Sequence, residues 1–195
     1  MTDAPLYGLI LAGGRSSRMG TSKALMHYHG KPQYVYLYEL LQRYCRKVYV
    51  SCKQADESYE GYNPLPDYYE GDNPMNGLLT AIQKHPDVCW LTVPVDMPLV
   101  DDKLIRYLIS HKDSQSMASC FYDSSGNSPE PLLALWKRHA YRPLEDFYHL
   151  GHVSLRDFIS RHPVNIIPVP DKNYLLNINT PEELKNFIGL SSKIV

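Results

Sequence analysis

No apolar run in this 195-residue sequence approaches the ~18 consecutive residues that a membrane-spanning helix needs. An excess of charge of either sign is also missing. Lys plus Arg number 20 against 21 Asp plus Glu, a net charge of -1. That balance leaves no basic footprint for nucleic acid, so any anion site must be a local cluster. Cysteine is sparse. Cys45, Cys52, Cys89 and Cys120 form no CxxC pair and match no zinc spacing. Three of them sit in apolar runs and read as reduced core thiols of a cytoplasmic protein. The opening MTDAPLYGLILAGG has no basic segment ahead of its apolar stretch and is expected not to act as a secretory signal. Internal repeats and low-complexity linkers are absent as well.

What is present suits one soluble domain over residues 1–195. Hydrophobic residues make up 44% and charged residues 21%, which argues against disorder and against a coiled coil. Tyrosine is plentiful, with 16 in all and many within 28–69. These suit either a stacking or interface surface or an amphipathic core and rim.

Strand and helix patterns alternate along the chain. Leu6 to Leu11, Val48 to Ser51 and Val88 to Val95 read as buried strands. Met117 to Tyr122, Pro131 to Trp136 and Val164 to Val169 read likewise. Helices are expected over Pro32 to Tyr44, over Asn76 to Lys84 with an Asn cap, and over Asp101 to His111 with an acidic first turn. Ser154 to Arg161 carries a Ser cap, and Thr180 to Phe187 opens with a capping box. The polar, proline-broken stretch from Ser51 to Asn73 is expected to be loop. This alternation predicts an α/β fold with a mostly parallel sheet covered on both faces. Ligands of such sheets sit at the carboxyl ends of the strands.

Two strand ends carry chemistry. The first is the loop from Leu11 and Ala12 through Gly13, Gly14, Arg15, Ser16, Ser17, Arg18, Met19, Gly20, Thr21 and Ser22 to Lys23. Glycines let backbone N–H groups approach phosphate oxygens. Arg18 grips phosphate with a bidentate fork, Lys23 adds a point charge, and the serines add hydroxyl donors. The glycine spacing fits neither a Walker A loop nor a dinucleotide fingerprint. The second is Asp96, which ends the most apolar run in the chain between Pro94 and Pro98. Magnesium takes one or two protein carboxylates and fills its other positions with water and phosphate oxygens, which suits Asp96. Asp101 is better placed to cap the helix that follows. The eight histidines show no metal spacing.

The motifs L-A-G-G-x-S-x-R-M-G-x-x-K-A-L (from Leu11), V-P-V-D-M-P (from Val93) and N-I-N-T-P-E-E-L (from Asn177), in this order, resemble those of the molybdenum cofactor guanylyltransferase family. Glu130-Pro131-Leu132, Ala134-Leu135-Trp136 and Ser154-Leu155-Arg156 add to the likeness, which spans nearly the whole chain. The resemblance implies a three-layer αβα, Rossmann-like nucleotidyltransferase fold. It implies GTP and molybdopterin as substrates, Mg2+ as cofactor, and transient contact with molybdopterin-carrying proteins or molybdoenzymes. By the same resemblance, Leu11, Ala12 and Gly13 line the guanine and ribose through backbone contacts. Gly14, Arg18 and Lys23 hold the phosphates. Asp67 sits in the nucleotide pocket, and Asp96 binds the metal. Gly77, Arg156, Asn177 and Asn179 line the molybdopterin side. The chain departs from the family pattern at Ser22 (usually Asp), at Lys53 (often Asn) and in Asn73-Pro74-Met75-Asn76-Gly77.

The implied reaction is attack of the terminal phosphate of molybdopterin on the α-phosphorus of the nucleotide, with loss of pyrophosphate. A phosphate monoester is mostly dianionic at neutral pH, with a second pKa near ~6, so it needs no general base. Alignment and charge neutralisation by Arg18, Lys23 and Asp96 are what catalysis requires. Two rival readings are a related transferase using CTP or another phosphate-ester acceptor, and a nucleotide-binding module without activity.

Overall fold

The structure, a computed structural model, describes residues 4–13, 23–71 and 73–178 together with Glu183. Its frame is a seven-stranded sheet in the order β3-β2-β1-β4-β6-β5-β7. The strands are β1 (Leu6–Leu11), β2 (Lys47–Cys52), β3 (Pro64–Pro66), β4 (Cys89–Pro94), β5 (Ala118–Tyr122), β6 (Pro129–Trp136) and β7 (Val164–Ile167). Among the described strands, only β6 runs against its neighbours β4 and β5, and every other pair is parallel.

Helices cover both faces, as the alternating pattern requires. Helices α1 (Gln33–Leu41) and α3 (Asp102–Ser110) set Leu37, Leu41, Leu104 and Leu108 against Ile10, Val50 and Val93. Helices α2 (Pro74–Lys84), α4 (Tyr141–His149) and α5 (Leu155–Arg161) set Leu78, Leu144 and Phe158 against Leu9, Leu11 and Trp90. Within β1, Leu9 and Leu11 face one layer and Ile10 the other, yet all are buried. A strand buried on both faces reads as a continuous apolar run rather than an alternating one. Each such side chain contributes roughly 1.5–3 kcal/mol on leaving water.

Local chemistry sets the helix ends. Asp101 caps α3 by accepting from the Leu104 N–H at 2.9 Å, and Ser154 caps α5 by accepting from the Asp157 N–H at 3.2 Å. Helix α2 begins earlier than its apolar pattern suggests. Asn73 is the cap and Pro74 occupies the first turn, where its missing N–H leaves no bond unmade. Asn76 is engaged elsewhere: its Nδ2 donates to the carbonyls of Tyr69, Glu70 and Gly71. Two further elements are not expected from the sequence. Strand β3 is a Pro-Leu-Pro segment inside the expected loop, tolerated because it is the sheet edge. Helix α4 contains Pro143, which falls in its first turn. The helix expected over Thr180 to Phe187 lies outside the described residues apart from Glu183.

The tyrosines of 34–62 form core and rim. Tyr34 meets Tyr59 and Tyr62, and Tyr38 meets Tyr62, all edge to face with ring centroids 5.0–5.1 Å apart. Tyr68, in contrast, is 73% exposed. All four cysteines are free; Cys45, Cys52 and Cys120 are buried and Cys89 is partly exposed. Burial pushes the thiols of Cys45 and Cys120 up to about 12, and that of Cys52 to about 11. Among the described residues no helix is long and apolar enough to cross a membrane.

Candidate active site

Strand order reverses about β1, with β2 and β3 to one side and β4 to the other. The crevice beyond the carboxyl ends at such a switch point is where open α/β sheets bind ligands. Here β1 delivers Leu11, Ala12 and Gly13, β3 delivers Asp67, and β4 delivers Asp96. Backbone bonds carry the ladder past the strand ends. Ala12 N–H donates to Ser51 O at 3.1 Å, Val95 N–H to Leu11 O at 3.3 Å, and Asp67 N–H to Cys52 O at 2.8 Å. Leu11 O and Ala12 N–H are therefore engaged by the sheet. The Leu11 side chain is core. Gly13 lies over β2 and Asp67: a Cβ there would stand 3.7 Å from Lys53 N and 3.9 Å from Asp67 Oδ2.

Asp67 is half-buried, and Ser51 Oγ donates to its Oδ1 at 3.2 Å. Burial pushes its carboxyl pKa upward, against the opposing pull of the Ser51 hydroxyl and the Lys53 charge. Gly77 packs directly on this pair. A Cβ at Gly77 would fall on Ser51 Oγ and stand 3.4 Å from Asp67 Oδ1. Helix α2 thus approaches β2 as closely as it does only because residue 77 has no side chain. Gly77 therefore stands beside Asp67.

Lys23 and Asp96, 73 residues apart, meet across the mouth of the crevice. Lys23 Nζ donates to Asp96 Oδ2 at 3.3 Å, with side-chain exposures of 16% and 25%. The other carboxylate oxygen, Asp96 Oδ1, is buried and has no hydrogen-bond partner among the described residues. A buried carboxylate oxygen without a donor is costly, and a hard cation with phosphate and water ligands would satisfy it. Among the described residues no group of three or more His, Cys, Asp and Glu could hold a metal alone. The donor set at Asp96 thus fits an ion carried largely by its own phosphate ligands.

Several ties fix the Asp96 loop. Ile178 N–H donates to Asp96 O at 2.9 Å. His29 Nε2 bonds Pro98 O at 2.8 Å while its ring stacks on Tyr36, whose hydroxyl donates to Val100 O at 3.2 Å. Tyr28 stands close enough to Asp96 that burial, with that negative charge behind it, pushes its phenol up to about 12.

A cleft of roughly 390 Å³ adjoins the crevice on the β6 side. Pro74, Glu130, Leu132, Ser154, Arg156 and Asn177 are among its walls. Arg156 stands in the first turn of α5, and its Nε donates to Pro129 O at 3.1 Å. The structure therefore brings Arg156 and Asn177 together, and Lys23 with Asp96. Gly14, Arg18 and Asn179 lie outside the described residues. Sequence reasoning misses Tyr28, Ser51 and Glu130 as site residues. Glu130 had a visible signal, a carboxylate between two prolines at the edge of an apolar run. Tyr28 and Ser51 had none.

A family model described as the MobA-like NTP transferase domain matches residues 8–166. The chain is similar to a molybdenum cofactor biosynthesis bifunctional protein of Synechocystis, 31% identical over 186 residues. That match covers 94% of this chain and 54% of the relative, so the chain spans about half of that protein's length. It is 29% identical to a molybdenum cofactor guanylyltransferase of Ectopseudomonas mendocina, with 92% and 90% of the two chains covered. The crystal structure of molybdopterin-guanine dinucleotide biosynthesis protein A from Archaeoglobus fulgidus superposes with a TM-score of 0.78 at 24% identity, covering 96% of this chain and 99% of that one. This last likeness speaks to the fold.

Proposed function

The chain belongs to the MobA-like NTP transferase family, and we propose that it transfers GMP from GTP to the terminal phosphate of molybdopterin. The products are the guanine dinucleotide cofactor and pyrophosphate. One observation carries the reading: the Lys23–Asp96 pair at the switch point, with one carboxylate oxygen buried and unpartnered among the described residues. The name of the Ectopseudomonas relative, a molybdenum cofactor guanylyltransferase, supports guanylyl transfer over transfer of other nucleotides.

In this reading the triphosphate lies over the carboxyl end of β1. Lys23 stabilises charge as it gathers on the departing pyrophosphate. Asp96 holds Mg2+, which supplies Lewis-acid polarisation of the phosphates when bound. Asp67 and Gly77 bound the nucleoside side, and Arg156 and Asn177 orient the acceptor. The attacking phosphate is already dianionic, so no residue need remove a proton, and positioning supplies most of the rate. The ties from His29 and Ile178 then matter because they fix the height of the Asp96 carboxylate.

The test is a pyrophosphate-release assay with GTP, magnesium and molybdopterin, with the dinucleotide identified by mass. Product with GTP and little with CTP is expected. Equal turnover with CTP would overturn the base assignment. Tight GTP binding without product on molybdopterin would overturn the transfer itself.

A further inference from the structure

One side chain of the acceptor cleft has no part in the chemistry so far. Glu130 is 7% exposed and lines the cleft beside Arg156 and Asn177. Topology explains how a carboxylate came to be there. Strand β6 runs antiparallel to β4, so its first residues lie near the last residues of β4. It pairs with β4 only over residues 134–136. Against β5 the register jumps: Cys120 faces Ala134, yet Phe121 faces Glu130. Residues 131–133 are thus accommodated as a bulge, a device that re-aims side chains and ends pairing. Here it parts β6 from β4 and leaves Glu130 on the wall of the opening.

Among the described residues the Glu130 carboxylate accepts one hydrogen bond, from the Leu132 N–H at 3.0 Å. A carboxylate offers about four lone-pair sites, so one N–H leaves others for a ligand in the cleft. Burial pushes its pKa upward, while the Leu132 N–H and the charge of Arg156 favour the ionised form. Arg156 contributes through its charge, while its Nε donates to Pro129 O. What would complete the site is a planar pair of N–H donors, the partner a carboxylate takes in bidentate fashion.

We propose that Glu130 is the specificity residue of the acceptor cleft, accepting hydrogen bonds from the exocyclic amino group and adjacent ring N–H of the acceptor's 2-amino-4-oxopyrimidine edge. This rests on the reading of the acceptor as a pterin. Guanine presents the same edge, so the nucleotide is the other source of this chemistry, and the test separates the two.

Pterin and lumazine differ by exchange of the 2-amino group for an oxo group, and GTP and ITP by its presence or absence. Binding of all four is measured on the full-length wild type, E130Q and E130A, with thermal melts as a folding check. Wild type is expected to prefer pterin over lumazine by about tenfold or more, and E130A to lose about tenfold to a hundredfold in pterin affinity. E130Q keeps an acceptor for Leu132 N–H and can donate to the lumazine oxo group, so its preference should vanish or invert. The GTP-over-ITP preference should be the same in all three. A wild type that binds the two pteridines equally, or binds neither, overturns the assignment even if a variant fails to fold. So does an E130Q that keeps the pterin preference, or one in which the GTP-over-ITP ratio moves instead. Loss of GTP binding or of transfer in the wild type is a failure of the functional reading. Wild-type transfer to molybdopterin without pteridine discrimination is a failure of the Glu130 role alone.

Discussion

On the flank of the crevice that holds Lys23, Asp67 and Asp96, two carboxylates stand just past the carboxyl ends of parallel strands. Short backbone bonds to neighbouring strands fix their heights. On the opposite flank, Glu130 enters from the start of an antiparallel strand, Arg156 from the first turn of α5, and Asn177 from beyond the last strand. The first flank is a fixed frame inherited from the fold and gathers charge, which in the proposed function serves a polyphosphate. The second is assembled from elements with no common axis and has an open cleft. A frame of the first kind suits a step shared by many transferases. A wall of the second kind can be re-aimed by one bulge, which suits recognition of a particular acceptor.

The comparison can be broken most directly at its centre. Asp96→Ala should leave the melting temperature near wild type and lower kcat by about a thousandfold or more. Near-normal turnover at saturating magnesium would remove Asp96 from the reaction. On the other flank, Arg156→Ala should raise the acceptor KM by about tenfold or more while the GTP KM stays put. A parallel rise in both would mean that the flanks are not separate.

Gly77→Ala sharpens the claim that the nucleotide flank is a rigid frame. The new methyl must displace the Ser51 hydroxyl from Asp67, so stability should fall by about 1–3 kcal/mol. The double variant with Ser51→Ala should recover part of that loss, because the crowded oxygen is gone. Additive losses in a urea titration would show that the two residues do not collide.

The smallest effect expected is that of Asp67→Asn. The folded state raises this carboxyl pKa. A group raised on folding makes no penalty below its unfolded value and a full one above its folded value. The protein is therefore disfavoured by this residue at neutral pH and relieved of it as pH falls through that window. Asn should thus stabilise slightly at pH 7, and the gain should shrink toward the unfolded value near 3.8. A gain independent of pH would assign it to hydrogen bonding and not to charge.

Much of the nucleotide flank is legible in the sequence because its determinants are local. An apolar run ending in Gly13, or one ending in Asp96, states both the strand and the chemistry at its end. The caps at Asp101 and Ser154 are legible for the same reason. The acceptor flank is less so. That β6 is antiparallel follows from long-range pairing of Thr92 with Ala134, which no local pattern reports. Glu130 then falls just short of the expected strand from Pro131, although the chain pairs it with Phe121. Asn76 resembles a cap but holds the 69–71 carbonyls instead. In α4, Pro143 conceals the helix, because a proline tolerated in the first turn looks like one that ends a segment. Tyr28 is brought to Asp96 by the turn after Lys23, and its neighbours in sequence carry no hint of it.

The unequal shielding of the four sulfurs has a practical side. With pKa values of about 11 to 12, Cys45, Cys52 and Cys120 present on the order of one thiolate in ten thousand or fewer at pH 7. Cys89, partly exposed, opens β4 at the end remote from Asp96, some ~20 Å away at the rise of an extended strand. A maleimide dye should therefore settle on that one sulfur, giving a reporter on the far rim of the sheet that watches ligands arrive without standing in their path.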